Sequence, residues 1–260
     1  GSITWLNWRN AVLPVMTRQY WYLSAYFGLF FLLPLFNTAL AQLEKRGLAL
    51  LGAAIFCVYS LLPWLLRADP FDLRSGYCML WLCLLYVLGG VLAECGAAER
   101  LCSRTALLGY CAAVLLTWGG KLASEYLALR RTGEILVSSR LVSYTSPTML
   151  AAAVLLLLLF ARLRIPPMLK RLLTRAAPAS LGVYILHVHP LVFTRCVEGR
   201  FAGLAAAPAA LMLLEVLGAA RAIYLVCTAA ELLRARVFLW LKVQERLQTL
   251  EQRMRRKMGF

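Results

Sequence analysis

The two histidines of this sequence, His187 and His189, are its best candidates for moving a proton, and both lie in the apolar stretch 184–190. A spacing of two places their side chains on different sides of a helix, so joint binding of a metal ion is not expected. An imidazole titrates near neutral pH and can take a proton from a hydroxyl group as general base. His187 is therefore the catalytic candidate, while a hydrogen-bonded packing role remains the alternative for both histidines.

Four further ionisable side chains stand in apolar stretches, where a buried charge must be paired or meet water. Lys121 and Glu125 are four positions apart on one helical face, so we expect an ion pair, with substrate contact as the alternative. Glu215 and Arg221 are six apart, on different faces of one helix. Each of these two then needs a partner on another helix, and stabilisation of a helix bundle is the expected role.

An aromatic cluster opens the first long apolar stretch with Tyr20 and Trp21, and Tyr26 follows about a turn later. Such a cluster is typical of the interface between membrane and water, and the alternative is the wall of a binding pocket. Asn37 follows Pro34 near the other end of the same stretch. Its amide is suited to bridge helices or to line a channel.

These candidate residues are carried by a chain too apolar for one soluble domain. Of its 260 residues, 62% are hydrophobic, and the mean hydropathy is +0.71. The apolar runs are continuous rather than alternating, which indicates helices and predicts an all-α, polytopic transmembrane bundle. Seven spans are predicted, of which the fifth and sixth are short: 19–41, 47–66, 77–93, 105–126, 147–161, 179–193 and 205–230.

The formal net charge of +16 would suggest nucleic acid as the partner of a soluble protein. Here the cations instead lie between and after the apolar stretches, so the bilayer is the expected partner and nucleic acid is not. The positive-inside rule then predicts a cytoplasmic C-terminus and an outside start, with residues 69–72 and 127–146 outside. The cations assigned to the inner side before the tail are Lys45, Arg46, Arg100, Arg104, Arg162, Arg164, Lys170, Arg171 and Arg175.

Two basic segments are predicted to form amphipathic helices. The loop 162–177 alternates leucines with Lys170, Arg171 and Arg175, which suits either anchoring to anionic headgroups or binding the phosphates of an acyl-CoA. Residues 235–260 continue the last span as a basic helical tail, whereas residues 1–234 form the bundle. The eight cysteines show no paired short spacing and are expected to be small apolar residues, so no metal site is predicted.

Four stretches, in the same order along the chain, resemble the acyltransferase 3 family. They are QYWYLSAYFGLFFLLPLFN from Gln19 to Asn37, SGYCMLWLCLLYVLGG from Ser75 to Gly90, YTSP from Tyr144 to Pro147, and SLGVYILHVHP from Ser180 to Pro190. Thr145 stands where the family has an asparagine.

The resemblance implies an enzyme of the bacterial inner membrane that moves an acyl group, usually acetyl, from acyl-CoA to a hydroxyl of an envelope glycan. It implies no tightly bound cofactor, with acetyl-CoA as the donor substrate. The inner cations Lys170, Arg171 and Arg175 would meet the CoA phosphates, and His187 would be a central polar residue. The residues expected to contact a substrate are Tyr20, Trp21, Tyr26, Asn37, Tyr144, Ser146 and His189, with Asn37 placed toward the donor channel.

One departure from the family pattern is clear. Family members carry a first span with an arginine or lysine followed by the histidine taken as essential, and no histidine follows Arg9 or Arg18 in the first two spans. We therefore expect the chain to lack an N-terminal block of three spans. The alternatives are a transporter or lipid-handling protein, and a catalytically inert fragment or partner subunit.

Overall fold

A computed structural model of the chain describes Trp5, Arg9 and residues 12–134 and 139–258, with some side chains from Arg175 onward left out of the description. Every regular element in these residues is helical, which confirms the all-α class. The chain divides into two compact units, an N-terminal unit Gly1–Arg164 and a C-terminal unit Ile165–Phe260.

The N-terminal unit is built from long apolar helices that run alternately up and down. Its elements are α1 (Trp21–Gln42), α2 (Lys45–Leu66), α3 (Met79–Glu94), the short α4 (Ala97–Arg100), α5 (Ser103–Thr132) and α6 (Pro147–Ala161). Helix α3 packs against α1 and α2, and α5 packs along α6. The buried centre holds Ile55, Trp81, Leu88 and Leu150.

Contacts between loops place the predicted turns at two ends of this unit. At one end, the ring of Tyr77 lies 4.8 Å from that of Trp21 and 5.2 Å from that of Tyr144. At the opposite end, Arg162 meets the backbone of Ala98. We call these the Tyr144 end and the Arg162 end. The acidic segment 69–72 lies at the Tyr144 end, and the cation Arg100 lies at the Arg162 end. These acidic and basic segments are therefore at opposite ends of the unit, as the charge pattern of the sequence predicted.

Helix α2 contains one π-helical turn, Cys57–Leu61, in which the amide of Leu62 donates to the carbonyl of Cys57. Pro63 follows directly and has no N–H to donate, so a widened turn before it removes part of the backbone conflict. The turn carries Ser60, whose side chain is 1% exposed. Its hydroxyl donates to the carbonyl of Thr145 at 2.7 Å, which ties α2 to the start of α6.

Arg162 closes the other end of the unit. One guanidinium nitrogen donates to the carbonyls of Ala98, Glu99 and Leu101 at 2.7, 3.0 and 3.0 Å. Arg162→Ala is expected to lower the stability of the protein by about 1–2 kcal/mol, because carbonyls around α4 lose a charged donor at an exposed site. Thermal unfolding in detergent measures the effect, and a drop no larger than that of Arg164→Ala, the exposed neighbour, would contradict it.

The C-terminal unit begins with the predicted basic helix. Its elements are α7 (Pro167–Ala176), α8 (Ser180–His187), α9 (Pro190–Val197), α10 (Ala209–Trp240) and α11 (Val243–Met258). A 3₁₀ turn, Ala177–Ala179, joins α7 to α8, and α8 packs against α10. The amphipathic helix expected in the loop 162–177 is therefore confirmed.

The sixth predicted span, 179–193, is not one straight helix. Helix α8 ends at His187, and α9 begins at Pro190 with a bend of 67° between the two. His189, just before the proline, has the extended backbone angles φ −61° and ψ 127°. Proline clashes with a helical residue before it and donates no backbone hydrogen bond, so the helix breaks at this point.

The last span also differs from its prediction. Helix α10 begins at Ala209 rather than 205 and continues to Trp240. Lys242 then adopts a left-handed backbone with φ 53°, so the tail forms a separate helix, α11, and does not extend the last span. The tail was predicted to be amphipathic from apolar residues three or four positions apart, and of these the side chains of Leu250, Met254 and Met258 lie outside the description.

Each of the seven predicted segments contains helix, although their lengths differ. Among the described residues, α1, α2, α5 and α10 are long and apolar enough to span a bilayer, and the bent segment from Pro167 to Val197 makes a fifth candidate. Helices α3 and α6 are apolar but shorter. Large apolar side chains such as Phe31, Leu115 and Leu214 are exposed on the chain, as expected where lipid covers them. The protein is a multi-pass membrane protein.

Candidate functional site

The Tyr144 end of the N-terminal unit contains a polar cavity of about 290 Å³. It is enclosed by the end of α2, the loop after α2, and the loop that leads into α6. Its wall combines cationic, hydroxyl and aromatic groups: Pro63, Trp64, Arg67, Ala68, Asp69, Leu73, Ser75, Ser139, Arg140, Ser143, Thr145 and Ser146. We refer to it as the polar cavity.

Asp69 fixes the loop on one side of the polar cavity. Its two carboxylate oxygens accept from the backbone amides of Leu73 and Arg74, both at 2.8 Å. Leu73 is 1% exposed, so the loop is anchored in the core. Farther out, the side-chain hydrogen bond from Arg74 lowers the pKa of Asp72. The carboxylate of Asp69 is thus already occupied by the protein's own amides.

Ser146 fixes the opposite side. Its hydroxyl donates to the carbonyl of Leu141 at 2.8 Å and accepts from the amide of Met149 at 3.3 Å, which makes it the N-cap of α6. Ser143 and Thr145 lie beside it, with hydroxyl oxygens 2.9 Å apart. Because Ser146 is only 2% exposed, the structure gives this sequence candidate a capping role at the cavity wall.

Arg140 and Trp64 form the cavity's basic and aromatic corner. The guanidinium carbon lies 4.6 Å from the centre of the indole ring, and the same side chain donates to the carbonyl of Trp64. Within the described residues, Arg140 Nε and Trp64 Nε1 are buried N–H groups without an acceptor. From its sequence, this region was predicted only to be an outer loop. The feature that could have indicated a polar site is the mixture of arginines and serines between two spans.

An aromatic row lies at the same end of the N-terminal unit, and its members Tyr77 and Tyr144 are close in sequence to residues of the cavity wall. It runs from Trp21 on α1 through Tyr77 to Tyr144, so the structure brings two predicted candidates together through a third ring. Tyr20 is buried at 7% exposure, whereas Tyr26 is 45% exposed on α1. Tyr26 extends the row through Tyr22, whose ring stacks 6.4 Å away.

Asn37 lies apart from this row. It is near the end of α1 opposite to Trp21, where its side-chain oxygen accepts from the hydroxyl of Tyr86 at 2.6 Å. This bond joins α1 to α3, as expected for an amide that bridges helices. The predicted contact between Lys121 and Glu125 is also present, as an ion pair along α5.

The histidines belong to the C-terminal unit. His187 Nδ1 lies 2.7 Å from the carbonyl oxygen of Val183. A carbonyl only accepts, so Nδ1 carries the proton in the neutral ring and Nε2 is left as the basic nitrogen. His189 Nδ1 accepts from the amide of Leu191 at 3.2 Å, and this caps α9. The two rings therefore have different backbone partners.

An acidic residue that sequence analysis passed over packs against α8. Glu231 on α10 is 8% exposed and accepts from Arg234 Nε at 2.7 Å. Its carboxyl group lies directly over Gly182, where any Cβ would overlap it. Glu231 and Arg234 are three positions apart on one helix, and this spacing could have indicated their ion pair from the sequence. No ion pair joins Glu215 to Arg221 in the part of α10 that the structure describes.

The basic face of α7 carries Lys170 and Arg171, both exposed, next to exposed Met168 and Leu172. The side chain of Arg175, the third predicted contact to CoA phosphates, lies outside the described residues. The two described cations and their leucine neighbours form an amphipathic surface one helix long.

The family model described as "Acyltransferase domain", that of the acyltransferase 3 family, matches residues 1–230. No curated protein and no solved structure matches the chain.

Proposed function

The chain belongs to the acyltransferase 3 family and is a membrane acyltransferase, and on this basis we propose that it moves an acetyl group from acetyl-CoA to a hydroxyl of a cell-envelope glycan. The observation that carries the proposal is the family match over residues 1–230 of 260. The proposed location is the bacterial inner membrane with the C-terminus in the cytoplasm. The cations near Arg162 support this orientation, because basic loops favour the cytoplasmic side.

In this proposal the glycan binds at the Tyr144 end. The polar cavity offers several hydroxyl groups, including those of Ser143 and Thr145, to a hydroxyl-rich ligand. The row Trp21, Tyr77 and Tyr144 adds aromatic faces beside it. Aromatic surface with a few placed polar groups is the usual make-up of a small-molecule site. Tyr20 and Tyr26 would support the entrance from α1, and Ser146 would hold the cavity wall in place.

The donor would bind through the basic surface of α7. Lys170 and Arg171, with Arg175 as the third cation, are proposed to pair with the phosphates of acetyl-CoA. Asn37, near the Arg162 end of α1, would line a channel for the donor. His189 would contribute by capping α9 beside His187.

Within the described residues His187 is the proposed general base, in addition to the essential histidine that the family pattern places in an N-terminal span. The acceptor oxygen attacks the thioester carbonyl carbon while Nε2 of His187 takes the hydroxyl proton. The C–S bond then breaks, and the proton passes to the CoA thiolate as it leaves. The contact with Val183 supports the assignment, because it leaves Nε2 unprotonated in the neutral ring.

His187→Gln is expected to lower kcat at least about 100-fold with an unchanged melting temperature, because general-base catalysis contributes about 10²–10⁴-fold. The measurement is transfer of labelled acetyl from acetyl-CoA in membranes. His189→Asn is the matched control, since asparagine also caps helices, and it is expected to retain activity within about threefold. Equal activity of both variants would assign His187 a packing role instead.

Deletion of the gene tests the proposed function in the cell. Incorporation of labelled acetate into the isolated envelope glycan is expected to disappear and to return with the wild-type gene. Persistence of the label after deletion would overturn the assignment of a glycan acceptor.

A further inference from the structure

The polar cavity carries an excess of positive charge that its own residues do not neutralise. Arg67 and Arg140 line it, and the one carboxylate in the wall belongs to Asp69. That carboxylate is committed to the amides of Leu73 and Arg74. Neither of the two lining arginines forms an ion pair with a described acidic side chain.

The same wall contains two hydrogen-bond donors that need an acceptor. Arg140 Nε and Trp64 Nε1 are both buried and both without a partner among the described residues. A buried N–H left unpaired costs about 1–3 kcal/mol. Both groups are donors only, and both are closed off from the cavity, so an oxygen atom of a ligand reaches them only after the Arg140 side chain shifts.

We propose that the polar cavity is an oxyanion subsite that binds the carboxylate of an acidic sugar in the acceptor. The inference rests on the proposed function and adds the chemical class of the glycan. Guanidinium groups bind carboxylates through paired, charge-assisted hydrogen bonds, which the lining side chains of Arg67 and Arg140 would supply. The hydroxyls of Ser143 and Thr145 would meet the ring hydroxyls of the same sugar.

The size of the cavity agrees with a single sugar residue. Its volume of about 290 Å³ is just below the range for small-molecule sites, roughly 300–1,000 Å³, so it has room for one sugar and not for a longer segment. Binding of a single acidic sugar in the cavity would therefore determine which sugar of the glycan chain lies at which position on the protein. Its neighbours in the glycan chain would extend past Tyr144 along the aromatic row.

Binding of trigalacturonate to the purified protein in nanodiscs tests the subsite without using activity. Trigalacturonate is expected to bind at least tenfold more tightly than the same trisaccharide with its carboxyl groups reduced. Arg140→Gln is expected to lower the affinity for trigalacturonate about tenfold to hundredfold and to leave the affinity for the reduced trisaccharide unchanged. The difference in affinity between the acidic and the reduced trisaccharide should also become smaller as the salt concentration is raised.

Two further variants keep the test decisive if Arg140→Gln unfolds. Arg67→Gln removes the second cation of the wall, which is exposed, and is expected to lower the affinity for trigalacturonate at least about threefold. Arg130→Gln, an exposed arginine at the C-terminal end of α5 that does not line the cavity, is the matched control and should change nothing.

Three outcomes would overturn the subsite. They are equal binding of the acidic and reduced sugars, equal losses in Arg67→Gln and Arg130→Gln, and binding of glycerol 1-phosphate without binding of trigalacturonate. Acetyl transfer to a neutral glycan would still stand in each case, so failure of the subsite is distinguishable from failure of the proposed function.

Discussion

Replacing Gly76 with alanine is expected to destabilise the N-terminal unit by about 3 kcal/mol or more and to reduce acyl transfer strongly. Gly76 has φ +100°, a backbone region that L side chains rarely adopt. A Cβ there would also lie 2.6 Å from Tyr144 Cβ and 3.1 Å from a ring carbon of Trp81. Tyr144 Cβ is fixed to its backbone, so relief requires the loop beside the polar cavity to move.

Thermal unfolding and labelled-acetyl transfer measure this effect. Gly89→Ala is the matched control, because Gly89 lies within α3 and has open space where the new methyl group would sit. That control is expected to be neutral or to stabilise by about 0.5–1 kcal/mol, since alanine favours helix. Similar melting temperatures for the two variants would contradict the packing described around Tyr144.

Replacing Gly182 with alanine is expected to cost about 2 kcal/mol and to lower activity by displacing α8, which carries His187. The new methyl group would overlap the carboxyl group of Glu231, which is 8% exposed and held by Arg234. Overpacking of a closed interface typically costs about 1–3 kcal/mol. The overlap would also move the buried carboxylate of Glu231 away from Arg234.

A double-mutant cycle separates this clash from other effects. Glu231→Ala removes the obstructing carboxyl group, so Gly182→Ala should cost at least about 1 kcal/mol less in that background than in the wild type. Gly218→Ala, on the open face of α10, is the matched control and is expected to be harmless. Strict additivity of the two substitutions would show that Gly182 and Glu231 do not meet.

Local patterns in the sequence predicted the helices well, because most of their causes are local. The stretch Ser146 and Pro147 marks the start of α6, where serine caps and proline occupies the first turn. Lys121 and Glu125 meet because helical geometry alone brings positions four apart together. The sixth span is not one straight helix although Pro190 was visible; it was predicted as a span, in spite of its short length, because the flanking charges required a crossing there.

The polar cavity could not be predicted in the same way. Arg140 reaches Trp64 across 76 positions, and Ser60 reaches Thr145 across 85. Such contacts depend on how loops meet after the helices have packed, and no periodic pattern encodes them. The positive φ of Lys242, which separates the tail from α10, likewise had no glycine to signal it.

One measurement tests the central claim most directly. The purified protein is placed in proteoliposomes that enclose glycan isolated from the deletion strain, and acetyl-CoA labelled in its acetyl group is added outside. Alkali-labile labelled acetyl esters are expected on the enclosed glycan, and they should be lost in His187→Gln and kept in His189→Asn. Label that crosses the membrane without joining the glycan would contradict the proposed acetyl transfer and would indicate a transporter.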